Sequence, residues 1–410
     1  MIRPVHILLL LVTLSSPARA QSRVIALSAL EQAVAAASAG DTLLVETGML
    51  VSGTITIDRP LVLIGLREPV LDGAGTNGLL LVTADSVVIE GFRFRNTGTT
   101  FMDDRAAVRF EGSAGCAVRN SAFDETFFGV YLAGVRRCEV SGNTFATTPD
   151  RESKGGNAIH SWHSSELVVA DNVIRGHRDG IYLEFTNRSV VRGNVSADNV
   201  RYGLHFMFSN ECTYEDNTFE RNKAGVAVMY ANDVSMRRNV FLDAWGASAY
   251  GLLLKEIKGG EVIGNRFEGN SVALFVESSD RIAFTDNRFL ANGWAVKVMA
   301  DATGNHFSAN TFIRNTFDVA TNSRQASGSS FEGNFWDRYD GYDLDRDGVG
   351  DVPFHPVRLY SVVVERHEPA LVLLRSLFVD MLDAVEAVLP MLTPDVLVDS
   401  APAMQPLLVL

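Results

Sequence analysis

The chain has almost no cysteine: three in 410 residues, Cys116, Cys138 and Cys212. Three thiols make no disulfide framework, and none has the spacing of a zinc cluster. Cys116 and Cys138 stand 22 residues apart, a separation that permits a bond between them without requiring one. Long apolar runs are also missing. The clearest, residues 7–14, is too short to span a bilayer. It follows Arg3 and precedes the small-x-small triplet Ala18-Arg19-Ala20, so residues 1–20 read as a signal peptide and the secreted chain as starting near Gln21. Basic charge is scarce. Removing Arg3 and Arg19 from the 36 Lys and Arg leaves 34 against 49 Asp and Glu, a balance of −15. That excess argues against nucleic acid and anionic membrane surfaces as partners and suits a cationic one. Helical periodicity is absent from residues 42 to 340.

What fills that span is a repeat. Aligned on asparagine, it runs Asn120, Asn143, Asn172, Asn194, Asn217, Asn239, Asn265, Asn287, Asn310 and Asn334, in steps of 22 to 29 residues. The longest step holds the polar insert TTPDRESKGG (147–156), as expected of a surface loop grafted onto one repeat. Each repeat has about three short β-rich pieces separated by Gly, Asn, Asp or Ser. A period near 22 to 24 gives three strands and three turns per coil, which predicts an all-β, right-handed parallel β-helix with coils stacked ~4.8 Å apart. The asparagines are read as structural, a column of side-chain amides bonded up and down the stack. Residues 28–39 (SALEQAVAAASA) predict a helical cap on the first coil, and the solenoid with its cap spans 21–340. An Asp-rich loop, 341–358, follows. The tail, 359–410, is apolar and partly helical, and either caps the solenoid or docks on a partner.

One strand recurs as GVYLA (129–133), AIHSW (158–162), GIYLE (180–184), GLHFM (203–207), GVAVM (225–229) and GLLLK (251–255). Its second and fourth positions are almost all aliphatic and so point inward; the third and fifth must point out. The outer face then carries Tyr131, His160, Tyr182 and His205 in one column, and Trp162, Glu184, Met207 and Met229 in the other. On this reading His205 and Met207 lie ~6.6–7 Å apart along a strand, and Met229 lies one coil (~4.8 Å) from Met207. Imidazole with thioethers suits Cu(I) and repels hard cations, which makes His205, Met207 and Met229 candidate Cu(I) ligands. His160 and His163, earlier on the same wall, rank second. The competing reading of the same stripe is an apolar docking surface, and the two are compatible, since a transfer site must lie within a docking surface.

Residues 343–353 (DLDRDGVGDVP) place Asp343, Asp345, Asp347 and Asp351 at positions 1, 3, 5 and 9 of a calcium-loop pattern. Position 12 is Phe354 and no helix precedes the loop, so this is an incomplete motif that can still offer oxygen ligands to Ca2+.

The phrases DGIYLEFTNRSVVRGN (179–194), RYGLHFMFSNECTYEDN (201–217) and AGVAVMYANDVSMRRN (224–239) resemble the NosD family, periplasmic maturation proteins of nitrous oxide reductase. The resemblance implies a copper-handling role in denitrification. It implies an ABC transporter of the inner membrane as partner, through which the protein is attached to that membrane. It further implies a small copper chaperone as Cu(I) donor and help in assembling the copper–sulfur site of the reductase. It gives the tail a purpose, engagement of the transporter's membrane subunits. On this reading the chain is not an enzyme. The rival is a polysaccharide lyase or epimerase on the same scaffold, using His177, Arg178, Asp179 and Tyr182 for proton transfer and carboxylate binding. A purely structural, adhesin-like solenoid is the third reading, and it would not need the Met and His columns.

Overall fold

The computed structural model describes residues 20–99, 104–148, 155–322, 328–374, 376–388 and 397–406. All of the proposed signal peptide except Ala20, and most of the 147–156 insert, lie outside those residues.

Short β-branched and aromatic runs, cut every few residues by turn formers, give the chain no room for helix and force it to wind. It forms three parallel sheets of 14, 12 and 13 strands, each strand hydrogen-bonded to its equivalent one coil away. This is the predicted parallel β-helix. The first strand, Ser22–Ile25, pairs with Asp41–Val45, and the helix α1 (Leu30–Ala36) lies between them at the end of the stack. The interior is filled by aliphatic rows and by face-stacked rings, such as Phe241, Phe267, Phe289 and Phe312 at successive centroid separations of 4.6, 4.9 and 4.8 Å. A disulfide joins Cys116 to Cys138 on adjacent coils, while Cys212 stays free and buried.

The asparagine column is a hydrogen-bonded ladder. From Asn143 to Asn334 each side-chain amide donates to the Oδ1 of the next at 2.9–3.0 Å. Asn120 does not belong to it. The slot is taken by Ser121, whose backbone N–H donates to Asn143, and Asn120 is exposed on the turn. A second set of asparagines was not anticipated: Asn199 donates to Asn222, and Asn270 to Asn292 to Asn315.

The tail does two things. Residues 397–403 return to the end of the stack, where Phe331 bridges to Asp399 and Phe335 to Ala403. The helix α2 (Leu359–Arg366) lies on the outer face of the 12-stranded sheet, its Tyr360 and Val364 packed with Val272, Trp294 and Phe317, and Lys297 is ion-paired to Glu365 at 2.7 Å. A 3-10 turn, Glu368–Leu373, and the helix α3 (Leu377–Val388) follow. The described residues of the tail thus pack on the late coils of that face.

Candidate metal centre

The strands Asp179–Glu184, Tyr202–Met207 and Ala224–Met229 are neighbours in the 12-stranded sheet. Their register puts Tyr182 beside His205 and Ala227, and Glu184 beside Met207 and Met229. Parallel pairing preserves side-chain direction from coil to coil, so the outward residues of successive repeats share one flank. His205, Met207 and Met229 are brought together there.

They are less exposed than strand alternation alone suggests. His205 is only 6% exposed, because the rings of Tyr182 and Tyr202 close over it at centroid distances of 5.0 and 4.7 Å. Met207 and Met229 are half-buried. Both ring nitrogens of His205 are buried without a hydrogen-bond partner. Burial lowers its pKa to about 4, with Arg201 and Arg178 acting in the same sense against the opposing pull of Asp179. At neutral pH the ring is uncharged and has a lone pair to give. A buried polar group normally finds a partner; this neutral imidazole has none and stands on the flank that also carries two thioethers, and imidazole with thioethers is a combination that suits a soft cation.

His160 lies in the same column but is stacked between Tyr131 and Tyr182, at 4.6 and 4.8 Å, with Nδ1 2.9 Å from the Asn157 amide. Burial lowers its pKa to about 3. The Tyr182 ring and two coil steps, ~9.6 Å, separate it from His205, so the two do not share one ion. His163 sits on the following turn, exposed, and stacks on Phe185 at 4.6 Å. It begins a file of exposed or half-buried rings, His163, Phe185, Phe208 and Tyr230, all with left-handed backbone φ of 49° to 56°. The sequence reading missed this file and also Tyr202. Both were visible in principle, since each aromatic residue directly follows the fifth column of its repeat and Tyr202 directly precedes Gly203.

The residues of the lyase reading are not assembled on that face. His177 is fully buried inside the coil, near Phe145, so it meets nothing outside. Asp179 is fully buried and held by Arg201 through two bonds of 2.9 and 2.5 Å, with Arg178 3.7 Å away. Burial, and then Glu184, push the Tyr182 hydroxyl up to about 12, so it keeps its proton.

In the acidic loop, Asp343, Asp345 and Asp347 offer oxygens within 4.8 Å of one another. Repulsion from Asp347 raises the pKa of Asp345. Asp343 accepts the backbone N–H groups of Arg346, Asp347 and Gly348, whereas Asp351 accepts that of Leu344 and stands outside the cluster.

Residues 147–341 match the model of a family described as periplasmic copper-binding protein (NosD). The chain is 29% identical over 373 residues to a Pseudomonas aeruginosa protein named "Probable ABC transporter binding protein NosD", with 86% of each chain covered. It is 27% identical over 382 residues to a protein of the same name from Stutzerimonas stutzeri, covering 86% of this chain and 84% of the relative. Among solved structures, a mannuronic-acid-specific polysaccharide lyase from the human gut microbiota superposes with a TM-score of 0.58 at 12% identity, over 77% of this chain and 86% of that one. This last likeness shows the fold alone.

Proposed function

The chain belongs to the NosD family, and from that premise we propose that it is a periplasmic accessory protein that carries Cu(I) as cargo. In this reading it takes Cu(I) from a small copper chaperone and, with an ABC transporter that holds it at the inner membrane, helps assemble the copper–sulfur site of nitrous oxide reductase. It binds and passes on an ion and catalyses no reaction of its own. The observation that carries the reading is His205: a neutral imidazole with both nitrogens buried and orphaned, on a strand whose Met207 pairs in register with Met229. One imidazole and two thioethers hold Cu(I) without thiolate, which suits a carrier that must let go. His160 and His163 stand on the same wall as secondary stations. Titration of the purified protein with Cu(I) against a chromophoric chelator is expected to show roughly one retained equivalent. Complete transfer of the copper to a weak chelator overturns the reading.

The acidic loop is proposed to hold Ca2+ through Asp343, Asp345 and Asp347, with Asp351 held in reserve by Leu344. Hard oxygen ligands suit Ca2+ and serve Cu(I) poorly, so the loop's part is to fix the end of the solenoid.

The apolar tail supports the transporter assignment. No helix among the described residues is long and apolar enough to cross a membrane. Yet Val372, Leu377, Phe378 and Met381 lie 53–89% exposed on one stretch of the tail, a patch of the kind partners cover. Replacing Leu377 and Phe378 by Asp should abolish most co-purification of the transporter's membrane subunits while leaving Cu(I) uptake intact. Undiminished co-purification removes the tail from the interface. Substitution is a cleaner test than truncation, because residues beyond 396 close the end of the solenoid.

A further inference from the structure

The charged groups around the two thioethers are paired with one another, and one is left over. Arg201 is bound to the buried Asp179 through two bonds of 2.9 and 2.5 Å, with Arg178 3.7 Å from the same carboxylate. Lys255, one coil beyond Met229 in the same column, is paired with Glu277 at 3.1 Å. Glu184, one coil before Met207, has no ion-pair partner among the described residues. Its Oε2 accepts the Tyr182 hydroxyl at 3.3 Å. That phenolic oxygen is also 3.9 Å from Met207 Sδ, so carboxylate and sulfur are separated by no more than the two distances together.

Resting on the reading of His205, Met207 and Met229 as a Cu(I) site, we propose that Glu184 is the counter-charge of that site, a carboxylate that attracts the ion without bonding to it. Imidazole and thioether are neutral donors, so Cu(I) held by them keeps its whole positive charge. In a half-buried place that charge is costly unless an opposite one stands near. Asp179 does not supply it, because two guanidinium groups already face its one carboxylate. Glu184 does. The Tyr182 O–H donates to it with or without the ion, and the stack of that ring on His160 at 4.8 Å fixes where the carboxylate is held. A soft ion leaves a hard oxygen for sulfur and nitrogen, so the carboxylate acts through its field alone. Attraction of that kind draws the ion in and adds no bond that transfer must break, which suits a carrier.

Glu184→Gln tests this, because the amide oxygen still accepts the Tyr182 hydroxyl and only the charge goes. Competition for Cu(I) with a chromophoric chelator should show about tenfold weaker binding at ~20 mM salt and about threefold at ~500 mM, since a half-exposed charge is screened. The salt needs a non-coordinating anion, because halides take Cu(I) themselves. Glu184→Lys reverses the charge and should weaken binding about a hundredfold at low salt, so that affinity follows charge through Glu, Gln and Lys. The urea midpoint of the metal-free protein should stay unchanged in Glu184→Gln. Undiminished affinity in Glu184→Gln overturns the proposal and leaves the Cu(I) site standing. A loss equal at both salt concentrations does the same, and makes Glu184 a ligand or a packing residue. No Cu(I) uptake by the unaltered protein overturns the site and this inference with it.

Discussion

Asp399→Ala should cost the solenoid about 4 kcal/mol, seen as a lower urea midpoint. The carboxylate is fully buried and takes five donors. Its Oδ2 accepts the Asn334 backbone N–H at 3.1 Å, the Asn334 side-chain amide at 3.0 Å and the Trp336 indole N–H at 3.0 Å. Its Oδ1 accepts the backbone N–H groups of Gly333 and Ala401, both at 3.2 Å. The need for it follows from the ladder. Every asparagine amide faces the next coil, so the last one arrives at the open end with its donors pointing at nothing. A carboxylate supplies acceptors only and ends the series. Each buried donor left without a partner costs roughly 1–3 kcal/mol, reduced here because water can enter at the end of the stack. Asn120→Ala, on the exposed turn and outside the ladder, should change stability by less than ~0.5 kcal/mol. A loss below ~1 kcal/mol for Asp399→Ala would show that the end is closed by something else.

His205→Leu should separate stability from metal binding. Leucine suits the column, since the register places Ala227 and then Leu253 beside His205. Replacing a buried imidazole that has no hydrogen-bond partner by an apolar side chain removes an unpaid desolvation cost, so the metal-free protein should gain about 1 kcal/mol on thermal unfolding. Cu(I) affinity should fall by about a hundredfold, because the nitrogen donor of the set is gone and two thioethers remain. Opposite signs in the two measurements are what an imidazole kept for a ligand predicts. Lower stability together with unchanged Cu(I) affinity would mean that His205 is packing and that the ion, if bound, sits elsewhere.

Much of this architecture was legible from local pattern. Alternation of Ile181, Leu183, Leu204 and Phe206 with Tyr182, Glu184, His205 and Met207 decides which face each side chain takes, and equal spacing of the repeats decides which residues become neighbours one coil on. Asn120 matched the asparagine spacing to within one residue, but it takes the left-handed turn position (φ 47°) that Gly142, Asp171 and Gly193 hold in the next coils, and Ser121 is the residue in the slot. The second asparagine series escaped because it breaks at Ala244, where only the backbone N–H meets Asn270. The pairing of Cys116 with Cys138 was allowed by spacing and realised by the adjacency of their coils. For the tail, composition left capping and docking as alternatives. The fold shows that it folds back on the solenoid and still presents an apolar surface.

The amino-acid order alone set the winding of the chain, the three-strand coil and the flank on which imidazole and thioether columns stand, because each depends on periodicity within a few residues. How deeply His205 is covered, which sulfur the Tyr182 hydroxyl stands beside and which carboxylate ends the ladder were decided by residues distant in the chain that the completed stack brings together. Tyr182 reaches Met207 across 25 positions and Asp399 reaches Asn334 across 65, and no local pattern carries contacts of that range.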